Sequence, residues 1–151
     1  MRALVLFACA ALGACADRPA PLTTMTLTHE SESATGELFV GRNSAFAWLQ
    51  GPSLPTIPES PFYLQWRIDQ FGAPGALPVT GLLANDRPGD VWLKLGDFEG
   101  VEGDVIFDAL SPEPGSALRG RFANVRVEYA GFGASFTIAG SFEGVMPPVA
   151  P

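Results

Sequence analysis

Pro61-Phe62-Tyr63-Leu64-Gln65-Trp66-Arg67-Ile68-Asp69 alternates large apolar side chains with polar or amphipathic ones. Side chains of an extended chain point to opposite faces in turn, so Phe62, Leu64, Trp66 and Ile68 share one face and Tyr63, Gln65, Arg67 and Asp69 the other. No helix places four such residues on one side. The stretch is therefore a strand with one buried face, and burying each large apolar side chain contributes roughly 1.5 to 3 kcal/mol. It should lie at the centre of the core, with Trp66→Ala far more damaging than Gln65→Ala.

Working outward, the same period recurs in short segments separated by turn chemistry. Met25 to His29 alternates Met25 and Leu27 with threonines, Ser31 to Gly36 reads as a turn, and Glu37 to Val40 and Ala45 to Gln50 are strands joined by Gly41-Arg42-Asn43. Prolines at 52, 55, 58 and 61 match the three-residue repeat of polyproline II, which predicts an extended loop. That loop either crosses between layers or serves as a peptide-like ligand for another module, and the crossing role is favoured. Gly72 to Pro78 reads as a loop, Val79 to Ala84 as a strand and Asn85 to Gly89 as a turn. Met146 to Pro151, rich in proline, is expected to be a frayed tail.

The C-terminal half contains a candidate repeat. Gly89 to Val101 aligns without gaps on Gly133 to Val145, with Gly, Gly, Phe, Glu, Gly and Val in common. Alignment places Trp92, Lys94 and Phe98 on the face of Phe136, Ile138 and Phe142, whereas Val91, Leu93 and Leu95 are the apolar set of the first copy. A one-residue bulge at Gly96-Asp97 would reconcile the two. The same change of phase between Leu118, Gly120, Phe122 and Val125, Val127, Tyr129 predicts a second bulge near Ala123-Asn124. Gly-x-Phe at Gly96, Gly120 and Gly140 would mark bends. With 17 Gly and 14 Pro, long helices have little room. The fold class is all-β, a two-layer antiparallel β-sandwich of about seven to nine strands, with a small antiparallel β-barrel as the alternative.

At the N-terminus, Arg2 precedes a short apolar run from Ala3 to Ala14, too short to span a bilayer core of about 30 Å. The run ends in Leu12-Gly13-Ala14-Cys15, which resembles the lipobox of bacterial lipoproteins. The resemblance covers only the export signal. It implies cleavage after Ala14, lipid on the Cys15 sulfur and a membrane partner reached through that anchor; stable anchoring takes two or more acyl chains. Ala16, where an Asp favours inner-membrane retention in enteric bacteria, points to the outer membrane. The organisation expected is a signal peptide at 1–14, a lipidated tether at 15–24, one β domain at 25–146 and a tail at 147–151.

Sixteen acidic against nine basic residues give a net charge of −7, which disfavours nucleic acid as a partner. Cys9 falls in the signal and Cys15 takes lipid, so the domain depends on packing without disulfides. With His29 the only histidine, zinc sites of the usual kind and Cys-His nucleophiles are excluded, and nothing near Ser31 or Ser33 resembles a nucleophile elbow. Asp97, Glu99, Glu102 and Asp104 are candidate calcium ligands, but their spacing is not an EF-hand loop, so no metal and no cofactor beyond the Cys15 lipid is expected. Arg119, Arg121 and Arg126 should face solvent and pair with acids of a neighbouring strand. The function read from the sequence is a non-enzymatic binding or scaffold module with an envelope protein as candidate partner, acting through the proline loop or through Tyr63 and Trp92. Alternatives are a carrier of a lipid or other apolar ligand, which needs a cavity, and a carbohydrate-acting enzyme, which needs paired carboxylates.

Overall fold

The computed structural model describes residues 23–80, 89–129 and 132–150. These residues form eleven strands and no helix: β1 (Thr24–His29), β2 (Glu32–Glu37), β3 (Phe39–Arg42), β4 (Phe46–Gln50), β5 (Phe62–Arg67), β6 (Gly75–Thr80), β7 (Val91–Leu95), β8 (Phe98–Glu102), β9 (Asp104–Ala109), β10 (Ala117–Tyr129) and β11 (Ser135–Val145). All belong to one sheet in the order β2-β1-β11-β10-β9-β6-β7-β5-β4-β3, with β8 bonded to β10 and β7. The all-β class is as expected. Every pairing is antiparallel except β6 with β7, whose two register pairs, Val79–Val91 and Thr80–Trp92, run parallel.

The sandwich and barrel readings meet in this sheet, which curls into two layers over one core. Its two terminal strands, β2 and β3, are separated in the chain only by the buried Leu38, so the edges of the sheet belong to a single bent segment. Leu38 N–H donates to the Thr23 carbonyl at 3.2 Å, which ties the joint to the start of β1. A similar joint lies at Gly103: β8 and β9 pair with successive parts of β10, and Gly103 bends between them at φ +120°. A side chain there would press on Val125.

The decisive stretch folds as expected. Phe62, Leu64, Trp66 and Ile68 are buried; across the core the Phe62 ring stacks on Phe122 of β10 at 5.3 Å, and Trp66 meets Phe107 of β9 at 4.9 Å. β10 stays one strand with a register shift between Phe122 and Val125 and Asn124 at φ +54°, so the second bulge is where the change of phase placed it. Leu118, Phe122, Val125 and Val127 all face inward.

Several local expectations are corrected. The chain reverses at Gly96-Asp97 instead of bulging: Leu95 pairs with Phe98 and Lys94 with Glu99 across a two-residue turn, with Gly96 at φ +60°. The first copy of the candidate repeat is therefore a hairpin and the second a single strand, β11, so the two segments share no structure. Ser31–Gly36 is mostly strand, the turn being Glu30-Ser31, because pairing of β2 with β1 from His29–Glu32 to Thr24–Glu37 outweighs its polar composition. Gly75 to Pro78, read as loop, opens β6; Pro78 stands opposite Asp104, and its lack of an N–H is tolerated at this exposed position. Gly41 and Arg42 belong to β3, and the connection to β4 is organised by Asn43, whose Oδ1 accepts from the N–H groups of Ala45 and Phe46. The remainder of the strand expected at Val79 to Ala84, and the turn at Asn85 to Gly89 except its last residue, lie outside the described residues.

The proline segment is not extended. Ile57 N–H donates to Leu54 C=O and Ser60 N–H to Ile57 C=O, forming two successive turns, while Leu54 is fully buried. Pro52 lies against Gly36 and Thr56 donates to the Glu32 carboxylate at 2.7 Å, so the loop covers the outer edge of β2 with residues that cannot extend a ladder. Because β4 and β5 are paired neighbours in one sheet, the segment joins adjacent strands, and the crossing between layers favoured by the sequence is corrected. The C-terminal segment is held in place: Met146 is buried and exchanges hydrogen bonds with Gly115 and Ser116, and Ala150 N–H reaches the Arg42 carbonyl. The buried Arg42 side chain donates to the Pro112 carbonyl at the same end of the barrel.

Candidate functional site

The outward side chains of β5 are Tyr63, Gln65 and Arg67, and register fixes what stands beside each. Tyr63 lies between Gln50 of β4 and Lys94 of β7; Gln65 lies between Trp48 and Trp92; Arg67 lies beside Phe46. Gln50 in turn faces Phe39 of β3, which is 61% exposed, and Trp48 faces Gly41. Four strands thus place five aromatic residues, two glutamines and two cations on one outer face. A side chain at Gly41 would collide with the Trp48 indole, so that ring lies flat over the glycine.

The two aromatics singled out in the sequence, Tyr63 and Trp92, meet at its centre. Their rings are 5.5 Å apart and nearly perpendicular, the edge-to-face geometry that aromatic pairs prefer. The Tyr63 hydroxyl donates to Gln65 Oε1 at 2.8 Å, and its partial burial pushes its pKa above the ordinary tyrosine value. The hydroxyl therefore stays protonated at neutral pH. Lys94 Nζ lies 5.3 Å from the Trp92 ring centre, and Arg67 sits 5.2 Å over Phe46 while forming a two-point ion pair with Asp69, at 2.9 and 2.6 Å. Pro61, Tyr63, Trp92, Lys94 and Gly96 enclose an open depression of about 370 Å³.

Gln65, Lys94 and Trp48 join this surface without having been marked in the sequence as binding residues. Strand alternation already placed Gln65 outward, but only register puts it between two indoles. Trp92 Nε1 is buried with no hydrogen-bond partner among the described residues.

The four acidic calcium candidates are not gathered. Asp97 is in the β7–β8 turn, Glu99 stands opposite Lys94, Glu102 accepts from Arg126 Nε at 3.1 Å, and Asp104 stands opposite Pro78. Among the described residues no three His, Cys, Asp or Glu side chains come together as a metal site. Arg121 pairs with Asp108 of β9 and Arg126 with Glu102 of β8, the exposed neighbouring-strand pairing expected of them; Arg126 also meets Glu128 of its own strand, and Arg119 forms no ion pair among the described residues. His29 Nδ1 lies 2.8 Å from the Thr137 carbonyl, and the ring begins an aromatic series through Phe136, Phe98 and Tyr129 to Phe132 that closes one end of the core. A second open depression, about 260 Å³, lies between Thr24, Thr26, Asp108, Arg119, Arg121 and Glu143. Cys15 lies outside the described residues.

Fold and surface together define an all-β domain, a single curled sheet with a filled core and an aromatic outer face. Comparison with protein-family models, curated proteins and solved structures finds no match.

Proposed function

We propose that this protein is a non-catalytic binding module, held on the bacterial envelope by lipid at Cys15 and facing its ligand with the outer surface of β3, β4, β5 and β7. The outer membrane is the proposed site, on the strength of Ala16. The observation that carries the binding reading is the convergence of Tyr63, Trp92 and Lys94 around one depression, with Gln65 hydrogen-bonded to Tyr63 beside it, on strands whose inner faces are locked in the core. Rigid strands hold a binding surface at low entropic cost, and half-exposed aromatics supply contact area. The interior, where a carried apolar ligand would sit, is occupied by Trp66, Phe62, Phe107 and Phe142. The scattered carboxylates give no support to the enzyme alternative.

Trp48 and Trp92, the indoles of this face, report on it. The full-length protein, purified in detergent, is titrated with separated lipid, peptide and polysaccharide fractions of a bacterial envelope while indole emission is followed. At least one fraction should change the emission of the wild type and leave the double variant Trp48→Phe/Trp92→Phe, whose remaining indole is the buried Trp66, unchanged. If no fraction does, or if the double variant responds equally, this face is not the binding surface.

A further inference from the structure

We propose that the depression between Tyr63 and Trp92 takes an uncharged glycan, one hexopyranose ring lying against its aromatic lining with its hydroxyls held by Tyr63 and Lys94 and, at the margin, by Gln65. The inference rests on reading this face as the binding surface and adds the chemical class of what it binds. One face of a pyranose ring is lined by C–H groups, whereas its rim carries hydroxyls. The site has the matching division: Tyr63, Trp92 and Pro61 offer apolar surface, and polar atoms stand at its edge.

The hydrogen-bonding groups point to the same class. Because Tyr63 gives its proton to Gln65 Oε1, the phenolic oxygen is left as an acceptor and the Gln65 amide N–H groups as donors. Lys94 adds ammonium donors, and among the described residues no carboxylate lies within ion-pair distance of it. Tyr63 and Lys94 thus bring an acceptor and donors to one depression. A hydroxyl satisfies both roles, and neighbouring hydroxyls on a sugar satisfy several such groups together.

Charge decides against an acidic ligand. The chain carries −7, Asp97 and Glu99 stand at the turn beside Lys94, and Arg67, the other cation of this face, is already engaged by Asp69. A polyanionic glycan would meet net repulsion, whereas an uncharged one would not.

The test probes the full-length protein in detergent against an array of neutral and acidic oligosaccharides, followed by calorimetric titration of the wild type and its variants with the neutral compounds that bind. Neutral hexose oligomers should bind with little dependence on salt. Trp92→Ala should weaken them by about tenfold or more, the scale of a hot-spot side chain. Tyr63→Phe, which removes only the hydroxyl and keeps the ring packing, should weaken them several-fold. Lys94→Gln, which keeps a donor, should change affinity less than Trp92→Ala. Absence of any neutral ligand, preference for acidic glycans, or full binding by both Trp92→Ala and Tyr63→Phe overturns the proposal. If a lipid or peptide fraction still shifts the emission of the wild type and not that of Trp48→Phe/Trp92→Phe, the binding surface stands and only the glycan assignment falls; if nothing shifts it, both fall.

Discussion

Gly120 and Gly140 have no side chain because phenylalanine rings occupy the space. Gly120 pairs with Phe142 and Phe122 with Gly140 across β10 and β11, so the two Gly-x-Phe units interlock head to tail, each ring covering the opposite glycine. The recurrence noticed in the sequence is thus a reciprocal cross-strand pair at two of its three sites, and at Gly96 it is a turn. A Cβ at position 120 would also stand 2.7 Å from the Ile106 carbonyl oxygen, which is backbone and cannot swing away. Gly120→Ala should therefore cost about 2 kcal/mol or more, on the scale of overpacked cores, measured by urea unfolding. An effect below 0.5 kcal/mol, in units of order RT, would show that the ring and strand can move apart. Asp69 gives a prediction of the opposite size. Hydrogen bonding to Arg67 holds its carboxyl below the ordinary aspartate range, so this pair stabilises the fold above the unfolded-state value and loses that contribution as pH falls through the lowered folded-state value. Because the pair is exposed, Asp69→Asn should be nearly neutral for stability. Any difference from wild type should shrink in acid; a gap that widens below pH 4 would contradict the assignment, since about 3.9 is where an ordinary aspartate titrates.

A phase change in an alternating pattern has two structural solutions, and the strands of this protein use both. A one-residue bulge puts residues i and i+3 on the same face, as Phe122 and Val125 are in β10. A two-residue turn does the same, as it does for Leu95 and Phe98 across Gly96-Asp97. The parity is therefore legible in the sequence, and the choice between bending and reversing is not. At Gly96 the reversal is held by the β7–β8 pairs and by the pairing of β8 with β10, a partner that the local sequence does not contain. The binding face was half legible for the same reason. Alternation showed that Tyr63, Gln65 and Trp92 point away from the core, but their adjacency depends on a register between strands 25 residues or more apart, from Gln65 to Trp92. The proline loop shows the remaining limit, since three-residue spacing suits polyproline II and successive turns alike, and the buried Leu54 decides between them. The bulge itself is testable. Asn124 holds a left-handed conformation at φ +54°, where Asn is tolerated and a β-branched residue is strained by roughly 1 to 2 kcal/mol. Asn124→Val should lower stability by about that amount, and Asn124→Gly should leave it unchanged or raise it. Deleting Ala123 should be far worse, because losing the extra residue turns Val125 and Val127 outward. A folded deletion variant with a native-like thermal transition would mean that the bulge is dispensable.

At the scale of the molecule, one curled sheet gives one core, and this arrangement bears on stability and on where the proposed anchor and the proposed binding surface lie. The strands first and last in the chain, β1 and β11, are neighbours, so the sheet cannot be completed until residues more than a hundred positions apart, such as Thr28 and Ala139, have paired. Folding should be a single slow transition, on the millisecond-to-second scale of sheets dominated by non-local pairs, with Trp emission and far-ultraviolet circular dichroism changing together. The same closure fixes where the binding face sits. Thr23, the first described residue, bonds to Leu38, and Phe39 at the edge of the aromatic face follows directly. Residues 15–22 can span at most about 30 Å when fully extended, so a lipid at Cys15 would keep Thr23, and the edge of the face beside it, within that reach of the membrane. Cys15→Ser should release the protein into the soluble fraction and lower occupancy of a membrane-proximal ligand in cells, because tethering raises the effective concentration. Affinity of the purified protein should be unchanged, since the proposed site is built from side chains of β5 and β7 and the turn beside them. Loss of affinity in vitro on Cys15→Ser would instead mean that lipid takes part in the site itself, whereas retention of the variant in membranes would remove the anchor from the argument.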